Sequence, residues 1–205
     1  MTWRVLIGTH NKGKVHEIEK ILGGVNVELL SLNAFPSIGV AEENESTYAG
    51  NARSKAQYYA TASGLWTLAD DSGLEVEHLH GAPGVYSARY AGAGASDEDR
   101  RRRLLIEMNG VENRRARFVC AVALSAPAGG IVRMAHGICC GQILTAPRGT
   151  GGFGYDPLFV PHGFDQTFAE LDEGVKNEIS HRARALRKAR YFIATGLSSE
   201  QTGII

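Results

Sequence analysis

The chain has 205 residues, and 43% of them are hydrophobic, which suits one globular domain or two lobes that share a core. Lysine and arginine together number 22, as do aspartate and glutamate, so the formal net charge is zero and we expect no nucleic-acid partner. Three cysteines without a C-x-x-C pattern argue against a disulfide framework or a zinc site, and favour a reducing, cytoplasmic location. The apolar runs are too short for a signal peptide or a membrane span, so we also expect no membrane association.

Hydrophobic patterning in the first part of the chain predicts alternating strands and helices. A strand at Trp3–Gly8 leads through a glycine-containing loop to a helix that Asn11 caps and Gly23 ends. The next predicted elements are a strand at Val27–Leu30, a helix at Thr47–Ser63 and a strand at Leu65–Ala69.

The second part of the chain predicts one helix that starts at Ser96, then several strands, then a last helix. Its predicted strands are Phe118–Leu124, Ile131–Ala135 and Ile138–Thr145, and its final helix is Glu178–Thr195. The turn residues 127–130 predict an antiparallel hairpin between the first two of these strands. The element order therefore predicts a mixed α/β fold with antiparallel pairs, rather than a simple doubly wound sheet.

Four consecutive arginines, residues 100–103, follow the acidic start of the helix at Ser96. They form either a patch for phosphate or a solvated helix face. The apolar positions that follow them, Leu104, Leu105 and Met108, favour the solvated face.

The loop from Gly8 to Lys14 joins a strand to a helix, which is a favourable place for an anion because backbone N–H groups and the helix dipole both point there. Its spacing also satisfies G-x-x-x-x-G-K. A P-loop needs Ser or Thr at the next position to hold magnesium, and this chain has Val15. The loop by itself is either a phosphate binder or an ordinary turn.

Two adjacent carboxylates, Asp70 and Asp71, follow an apolar strand and are costly to bury without partners. Alternation along the chain directs them to opposite sides, so one can enter a cleft while the other holds the loop. A cleft carboxylate suits magnesium or the activation of water; a helix cap or turn is the structural alternative. The acidic loop Glu42–Glu45 and Lys55 offer a second ligand and a phosphate contact, or are simply exposed.

The segment Gly149–Pro157 is rich in glycine and lets backbone approach a ligand closely. Phe153 offers a flat face for a base, and Asp156 offers an acceptor for a ring N–H. A hairpin turn with a buried aromatic is the alternative. Ser180–Arg182 and the preceding Lys176 can donate to a base carbonyl or a phosphate, although a single histidine there is more often structural.

Taken together, these segments resemble the inosine triphosphate pyrophosphatase family, whose members remove deaminated purine nucleotides. The matching segments, in the family's order and across nearly the whole chain, are Thr9–Lys14, Ala69–Leu74, Gly81–Tyr90, Gly152–Pro157 and Ser180–Arg182. The resemblance implies an elongated mixed sheet with helices, two lobes around a central substrate cleft within a single domain of residues 1–205, and a homodimer. It implies Mg²⁺-dependent hydrolysis of ITP, dITP, XTP and dXTP to the nucleoside monophosphate and pyrophosphate.

The same resemblance assigns roles to individual residues. Asp71 is the general base and a magnesium ligand, Glu43 is the second ligand, and Ser72 touches the substrate. Phe153 stacks on the purine and Asp156 lies near its ring nitrogens. The remaining substrate-binding residues are Thr9, His10, Asn11, Lys12, Gly13, Lys14 and Lys55 for the phosphates, and Gly154, Tyr155, Lys176, His181 and Arg182 around the base.

Two departures from the family pattern lie near the proposed metal ligand. Gly50 stands where the family usually has an acid, and Asn44–Ser46 replaces a more usual Thr-Gly pair, so Glu42 is an alternative to Glu43. Other activities compatible with the motifs are a P-loop NTPase that releases orthophosphate, a nucleotide-binding regulator without turnover, and a related pyrophosphatase for modified pyrimidines. Val15 argues against the first, Asp71 and Lys14 against the second, and Phe153 with the His181–Arg182 pair against the third.

Overall fold

The structure is a computed structural model that describes residues 2–130 and 132–199. These ranges contain six strands and five α-helices. The strands are β1 Trp3–Ile7, β2 Val27–Ser31, β3 Trp66–Val76, β4 Arg115–Ser125, β5 Val132–Ile143 and β6 Phe159–Pro161. The helices are α1 Lys12–Ile21, α2 Tyr48–Ser63, α3 Asp97–Glu107, α4 Glu173–Ile179 and α5 His181–Ser199.

The described strands form one mixed sheet in the order β2-β1-β3-β4-β5-β6. β1 runs parallel to both of its neighbours, with Val5 opposite Leu29 on β2 and Trp66 on β3. β5 and β6 are antiparallel. The mixed α/β prediction is therefore confirmed. The last three residues of β1 are fully buried, as expected of an inner strand that is covered on both faces.

The chain divides into two compact units, each made of discontinuous segments. Unit 1 contains the described parts of residues 1–71, 120–137 and 182–205, and unit 2 contains residues 72–119 and 138–181. The core of unit 1 packs α1 and α5 on the sheet through Ile18, Leu68 and Leu186, among others. The core of unit 2 is more aromatic and includes Leu104 of α3 and Phe159 of β6.

Three element boundaries differ from the sequence-based expectation. β3 does not end at Ala69 but continues to Val76, so both aspartates lie inside the strand. The two strands predicted at 131–135 and 138–145 are one strand, β5, and Ile131 lies outside the described residues. α1 ends at Ile21, and the positive backbone φ that follows belongs to Gly24 rather than to Gly23.

The predicted final helix is in fact two helices. α4 ends at Ile179, Ser180 adopts an extended conformation, and α5 begins at His181 and continues to Ser199. The apolar positions have the helical spacing of one continuous helix across this break, which is why periodicity alone did not reveal it. None of the helices in the described ranges is long and apolar enough to cross a bilayer.

Candidate active site

The loop after β1 is organised by side-chain caps. The backbone N–H of Asn11 donates to Thr9 Oγ1 (3.2 Å), and Asn11 Oδ1 accepts from the N–H of Lys14 (3.1 Å), which caps α1. His10 is exposed and packs edge-on against Tyr59. The first turn of α1, which contains Lys12 and Gly13, has no acid to offset the helix dipole. This loop therefore presents a positive helix end, which favours an anion such as phosphate.

Asp70 anchors this loop through buried ion pairs. Its carboxylate is fully buried, and its Oδ2 lies 3.1 Å from Lys14 Nζ and 3.1 Å from Arg182 Nε. Burial alone would raise the pKa of Asp70, but Lys14, Arg182 and Lys55 hold it well below its usual range. The same guanidinium also pairs with Glu17 of α1. Asp70 is therefore ionised and committed to holding α1 and the start of α5 in place.

Asp71 has a different environment, although it is the next residue. Its Oδ2 accepts a hydrogen bond from Asn51 Nδ2 of α2 at 2.9 Å. Burial raises the pKa of the Asp71 carboxyl above its ordinary value, because the lowering effects of Lys55, Lys14 and Asn51 do not fully offset it. A carboxylate whose pKa is raised is a stronger proton acceptor than an ordinary aspartate, which is the property a general base needs.

Lys55 and Glu43 lie in the same electrostatic neighbourhood. Lys55 of α2 is buried and pairs with Glu43 Oε1. Burial alone would lower the pKa of Lys55, but the carboxylates of Asp70, Glu43 and Asp71 raise it above its ordinary value. Glu43 in turn contributes to raising the pKa of Asp71. The two predicted metal ligands are thus close enough to interact, with a lysine ammonium paired to one of them.

The departures from the family pattern at residues 44–50 have a packing explanation. A Cβ on Gly50 would lie 2.8 Å from the Cβ of Glu45, so the glycine makes room for this glutamate. The N–H of Glu45 donates to Asn51 Oδ1 (3.0 Å), while Glu42 accepts from Asn44 Nδ2 (2.8 Å). The amide of Asn51 therefore connects the acidic loop to Asp71.

In unit 2, the aromatic loop, defined here as residues 149–155, is held by Asp156. The Oδ2 of Asp156 accepts from the N–H of Phe153 (2.9 Å) and pairs with Lys176 Nζ. The Lys176 ammonium also lies 5.1 Å from the centroid of the Phe153 ring. Gly152 has a φ of +69°, and a Cβ there would lie 2.1 Å from Asp156 Oδ2, so only glycine fits.

Helix α3 contacts the same loop from another side. The N–H of Gly154 donates to Asp97 Oδ2 (2.7 Å), and the carbonyl oxygen of Gly154 accepts from Arg101 Nη1 (2.7 Å). Tyr155 is buried, and its hydroxyl donates to the carbonyl oxygen of Ser87 at 3.0 Å. Burial would raise the pKa of Asp97, but the hydrogen bond from Gly154 and the pairing with Arg100 lower it below its ordinary value.

The remaining predicted site residues have these positions. Ser72 is half-buried on β3. His181 is buried and its ring stacks on Phe118, with centroids 4.6 Å apart and an interplanar angle of 11°, which supports a structural part for this histidine. Arg182 is fully buried in its ion pairs with Asp70 and Glu17, so its donation to a base carbonyl stays a prediction.

The sequence motifs and this geometry were compared with known proteins. The model of the Ham1 family matches residues 5–192. This chain belongs to the Ham1 family. The match includes all the predicted site residues, since these run from Thr9 to Arg182.

Curated and solved relatives agree with the Ham1 assignment. The chain is 50% identical over 185 residues to the dITP/XTP pyrophosphatase of Geobacter sulfurreducens (89% of this chain and 92% of that one). It is 47% identical over 188 residues to the dITP/XTP pyrophosphatase of Desulforamulus reducens (91% and 93%). The structure of a HAM1 protein from Coxiella burnetii matches with a TM-score of 0.84 and 36% identity, over 96% of this chain and 99% of that one.

Within this Ham1 chain, sequence reasoning missed several residues that contact the predicted site: Glu17, Asn51, Asp97 and Arg101. Glu17 had a usable signal, because it is an acid beside the apolar stripe of α1. Asn51 also had one, because it adjoins Ala52 on the buried side of α2. Asp97 and Arg101 had none beyond a generic helix start, because their partner, Gly154, lies more than 50 residues away.

Proposed function

We propose that this Ham1 family member hydrolyses non-standard purine nucleoside triphosphates, ITP or dITP and XTP or dXTP, to the monophosphate and pyrophosphate. The reaction class is the one for which its curated relatives, about half identical over nine-tenths of the chain, are named. The observation that carries the chemistry is the pair Asp70 and Asp71. One is an ionised anchor among cations, and the other is a buried carboxyl with a raised pKa. The second therefore acts as the general base that deprotonates the attacking water.

The triphosphate binds at the start of α1. The cap formed by Thr9 and Asn11 fixes the first turn, in which Lys12, Gly13 and Lys14 follow. Asp70 holds the Lys14 side chain, and Lys55 supplies a second ammonium. Two ammonium groups and the dipole of α1 stabilise the negative charge that develops as pyrophosphate leaves. His10 is an exposed additional donor on this loop.

The residues around Asp71 fit a magnesium ion. Mg²⁺ binds through one or two carboxylates together with substrate phosphates, so Asp71 and Glu43 are a sufficient protein donor set. Burial mainly, and the Glu43 carboxylate to a smaller extent, raise the pKa of Asp71, and a divalent cation would offset both effects. Glu43 is preferred to Glu42 because Glu43 interacts with Asp71, whereas Glu42 is bonded to Asn44. When bound, the ion polarises the phosphate oxygens.

The purine binds at the aromatic loop. Phe153 offers its ring face, Asp156 accepts from a ring N–H, and Lys176 donates beside both. Hypoxanthine and xanthine carry a carbonyl at position 6, where adenine carries an amino group. A site that requires a donor to that carbonyl discriminates against adenine by about 10⁴-fold or more. We assign this donation to Lys176, because Arg182 is fully buried in its ion pairs with Asp70 and Glu17.

The same proposal covers partners and location. We propose a homodimer, which the resemblance to the inosine triphosphate pyrophosphatase family implies. We propose a cytoplasmic location because none of the three cysteines forms a disulfide and Cys140 is exposed, a state that a reducing compartment maintains.

The test is the release of pyrophosphate and orthophosphate from ITP, XTP, GTP and ATP, with and without Mg²⁺. We expect pyrophosphate from ITP and XTP, and much slower reaction of ATP and GTP. An Asp71→Asn variant should lose about 10²–10⁴-fold in kcat, because its neutral amide cannot accept a proton from the attacking water. The variant should remain folded, because the amide has the same shape as the carboxyl and carries no charge that burial would disfavour. Asp165→Asn, at an exposed position, is the matched control and should be fully active.

Each other outcome has a distinct meaning. Orthophosphate as the product would establish a P-loop-type cleavage instead. Binding of ITP without turnover would establish a regulator, and a preference for modified pyrimidines would remove Phe153 and Lys176 as purine determinants. Full activity of Asp71→Asn would exclude Asp71 as the base while leaving the reaction class intact.

A further inference from the structure

Both backbone polar groups of Gly154, its N–H and its carbonyl oxygen, are held by one helix. Asp97 Oδ2 accepts from its N–H and Arg101 Nη1 donates to its carbonyl oxygen, each at 2.7 Å. Asp97 and Arg101 are four residues apart, so they lie on the same face of α3. No assigned motif contains either residue. Both hydrogen bonds involve a charged side chain, and such bonds are among the stronger ones in proteins.

The aromatic loop needs an external restraint of this kind. Gly152 and Gly154 flank Phe153, and both have positive φ values (+69° and +61°) that glycine adopts easily but also leaves easily. The N–H of Phe153 itself is fixed by Asp156 on the N-terminal side. On the C-terminal side, the N–H and the carbonyl oxygen of Gly154 are bonded to Asp97 and Arg101.

We propose that Asp97 and Arg101 are positioning residues that set the orientation of the Phe153 ring for the purine. They do so by clamping the backbone N–H and carbonyl oxygen of Gly154, the next residue. The proposal rests on the stacking function of Phe153 that is proposed above. It makes the start of α3 part of the base-binding machinery, although neither side chain needs to touch the nucleotide. Fixing the loop in advance lowers the ordering cost of binding, so the clamp acts on affinity rather than on the chemical step.

Helix α3 does not depend on these contacts for its own formation. Its N-terminus is closed by the capping box between Ser96 and Asp99, and Leu104 is buried in the core of unit 2. The clamp can therefore be removed without removing the helix. This separates a positioning function from simple structural support.

The experiment measures kcat and KM for ITP in Asp97→Ala and Arg101→Ala. We expect KM to rise about ten-fold in each variant and kcat to change less than about three-fold, since the lost contact affects ground-state and transition-state binding alike. Glu98→Ala and Arg102→Ala are the matched controls, because these neighbours are exposed and pair with each other. Asp97→Asn should recover part of the affinity, because its amide oxygen still accepts from Gly154.

Two further measurements separate positioning from general damage. Inorganic triphosphate, which has no base, should compete with ITP in both variants with the inhibition constant that it has in the wild type. In a Phe153→Ala background, adding Asp97→Ala or Arg101→Ala should raise KM no further, because the ring that the clamp orients is already gone.

The outcomes are distinguishable. If Phe153→Ala raises the KM for ITP and the clamp variants do not, the clamp is wrong and the base contact stands. If Phe153→Ala leaves KM unchanged, the stacking function is wrong and the clamp inference falls with it. A loss of affinity for inorganic triphosphate equal to that for ITP would show structural damage and would also overturn the proposal.

Discussion

Asp70 and Asp71 show how strongly neighbours decide the state of one residue type. Both carboxyls are buried, and in both cases burial by itself raises the pKa. Lys14 and Arg182 pair directly with Asp70 and lower its pKa, whereas Asp71 accepts a hydrogen bond from the neutral amide of Asn51 and its pKa stays raised. Two adjacent aspartates in one strand can therefore serve as a fixed counter-ion and as a base.

The Asp70→Asn variant should be strongly destabilised at neutral pH. It leaves the buried Arg182 and the partly buried Lys14 with one fewer counter-charge, a change that costs about 3–5 kcal/mol in comparable buried pairs. Chemical denaturation at pH 7 measures this free energy of unfolding. Glu28→Gln is the control, because Glu28 forms a half-exposed pair with Arg4, which is expected to contribute about 1 kcal/mol or less.

The same variant predicts a pH dependence. The pKa of Asp70 is lower in the folded protein than in the unfolded chain, so its stabilisation is present above about pH 4 and declines as the pH falls through the folded value. The stability difference between the wild type and Asp70→Asn should therefore shrink by about 1 kcal/mol between pH 7 and pH 3. An equal difference at both pH values would contradict the ion-pair explanation.

At the scale of elements, the first two turns of α3 contain Asp97 and Arg101, the residues proposed to position the aromatic loop. Its first turn contains Asp97, Glu98 and Asp99, which suit the positive end of the helix dipole. Arg102 and Arg103 are exposed and pair with acids of the same helix, as a solvated face does. Arg100 is mostly buried and donates to backbone carbonyls that precede the helix, while Arg101 binds the aromatic loop. The arginine run is therefore only in part a solvated face.

The capping box of α3 gives a test at this scale. Ser96→Ala removes the hydroxyl that accepts from the N–H of Asp99, and should lower the free energy of unfolding by about 1 kcal/mol. Ser96→Asn, which restores a good N-cap, should return most of that loss. If Ser96→Ala is as stable as the wild type in a denaturant titration, the start of α3 is held mainly by its tertiary contacts.

At the scale of the whole molecule, the two units have separate hydrophobic cores and contain different candidate site residues. Unit 1 contains the loop after β1 together with Asp70, Asp71, Glu43 and Lys55. Unit 2 contains the aromatic loop with Asp156 and Lys176. Neither unit is a continuous piece of chain, because β3, β4 and β5 each contribute residues to both.

The proposed homodimer belongs to this scale. Sedimentation equilibrium should give twice the 22.1 kDa mass of the chain at micromolar concentration. A specific interface of standard size buries about 800 Å² on each partner. Exposed apolar side chains such as Tyr86, Ile106 and Ile138 are candidates for such burial. A mass of one chain across the concentrations used in the activity assay would contradict the homodimer.

Much of the fold follows from local sequence. The cap at Asn11 and the helix start at Ser96 were readable because each rests on a side chain within a few residues of the element it bounds. The apolar stripes were also readable, since Ile18, Leu186 and Ile193 are all buried. The C-terminal end of β3 was not readable, because the cations that compensate its buried Asp70 include the distant Lys14 and Arg182. The break at Ser180 was not readable either, because the apolar spacing continues across it.

The sequence by itself determined the family, the mixed α/β class and the candidate residues, since motif order and short-range periodicity are properties of the chain alone. Only the tertiary structure decided which of those residues meet. Asp70 lies 112 residues before Arg182, and Gly154 lies 57 after Asp97, yet each pair is in hydrogen-bond contact. Burial and charge at such long-range contacts set the pKa values, so the division of labour between Asp70 and Asp71 is a property of the fold.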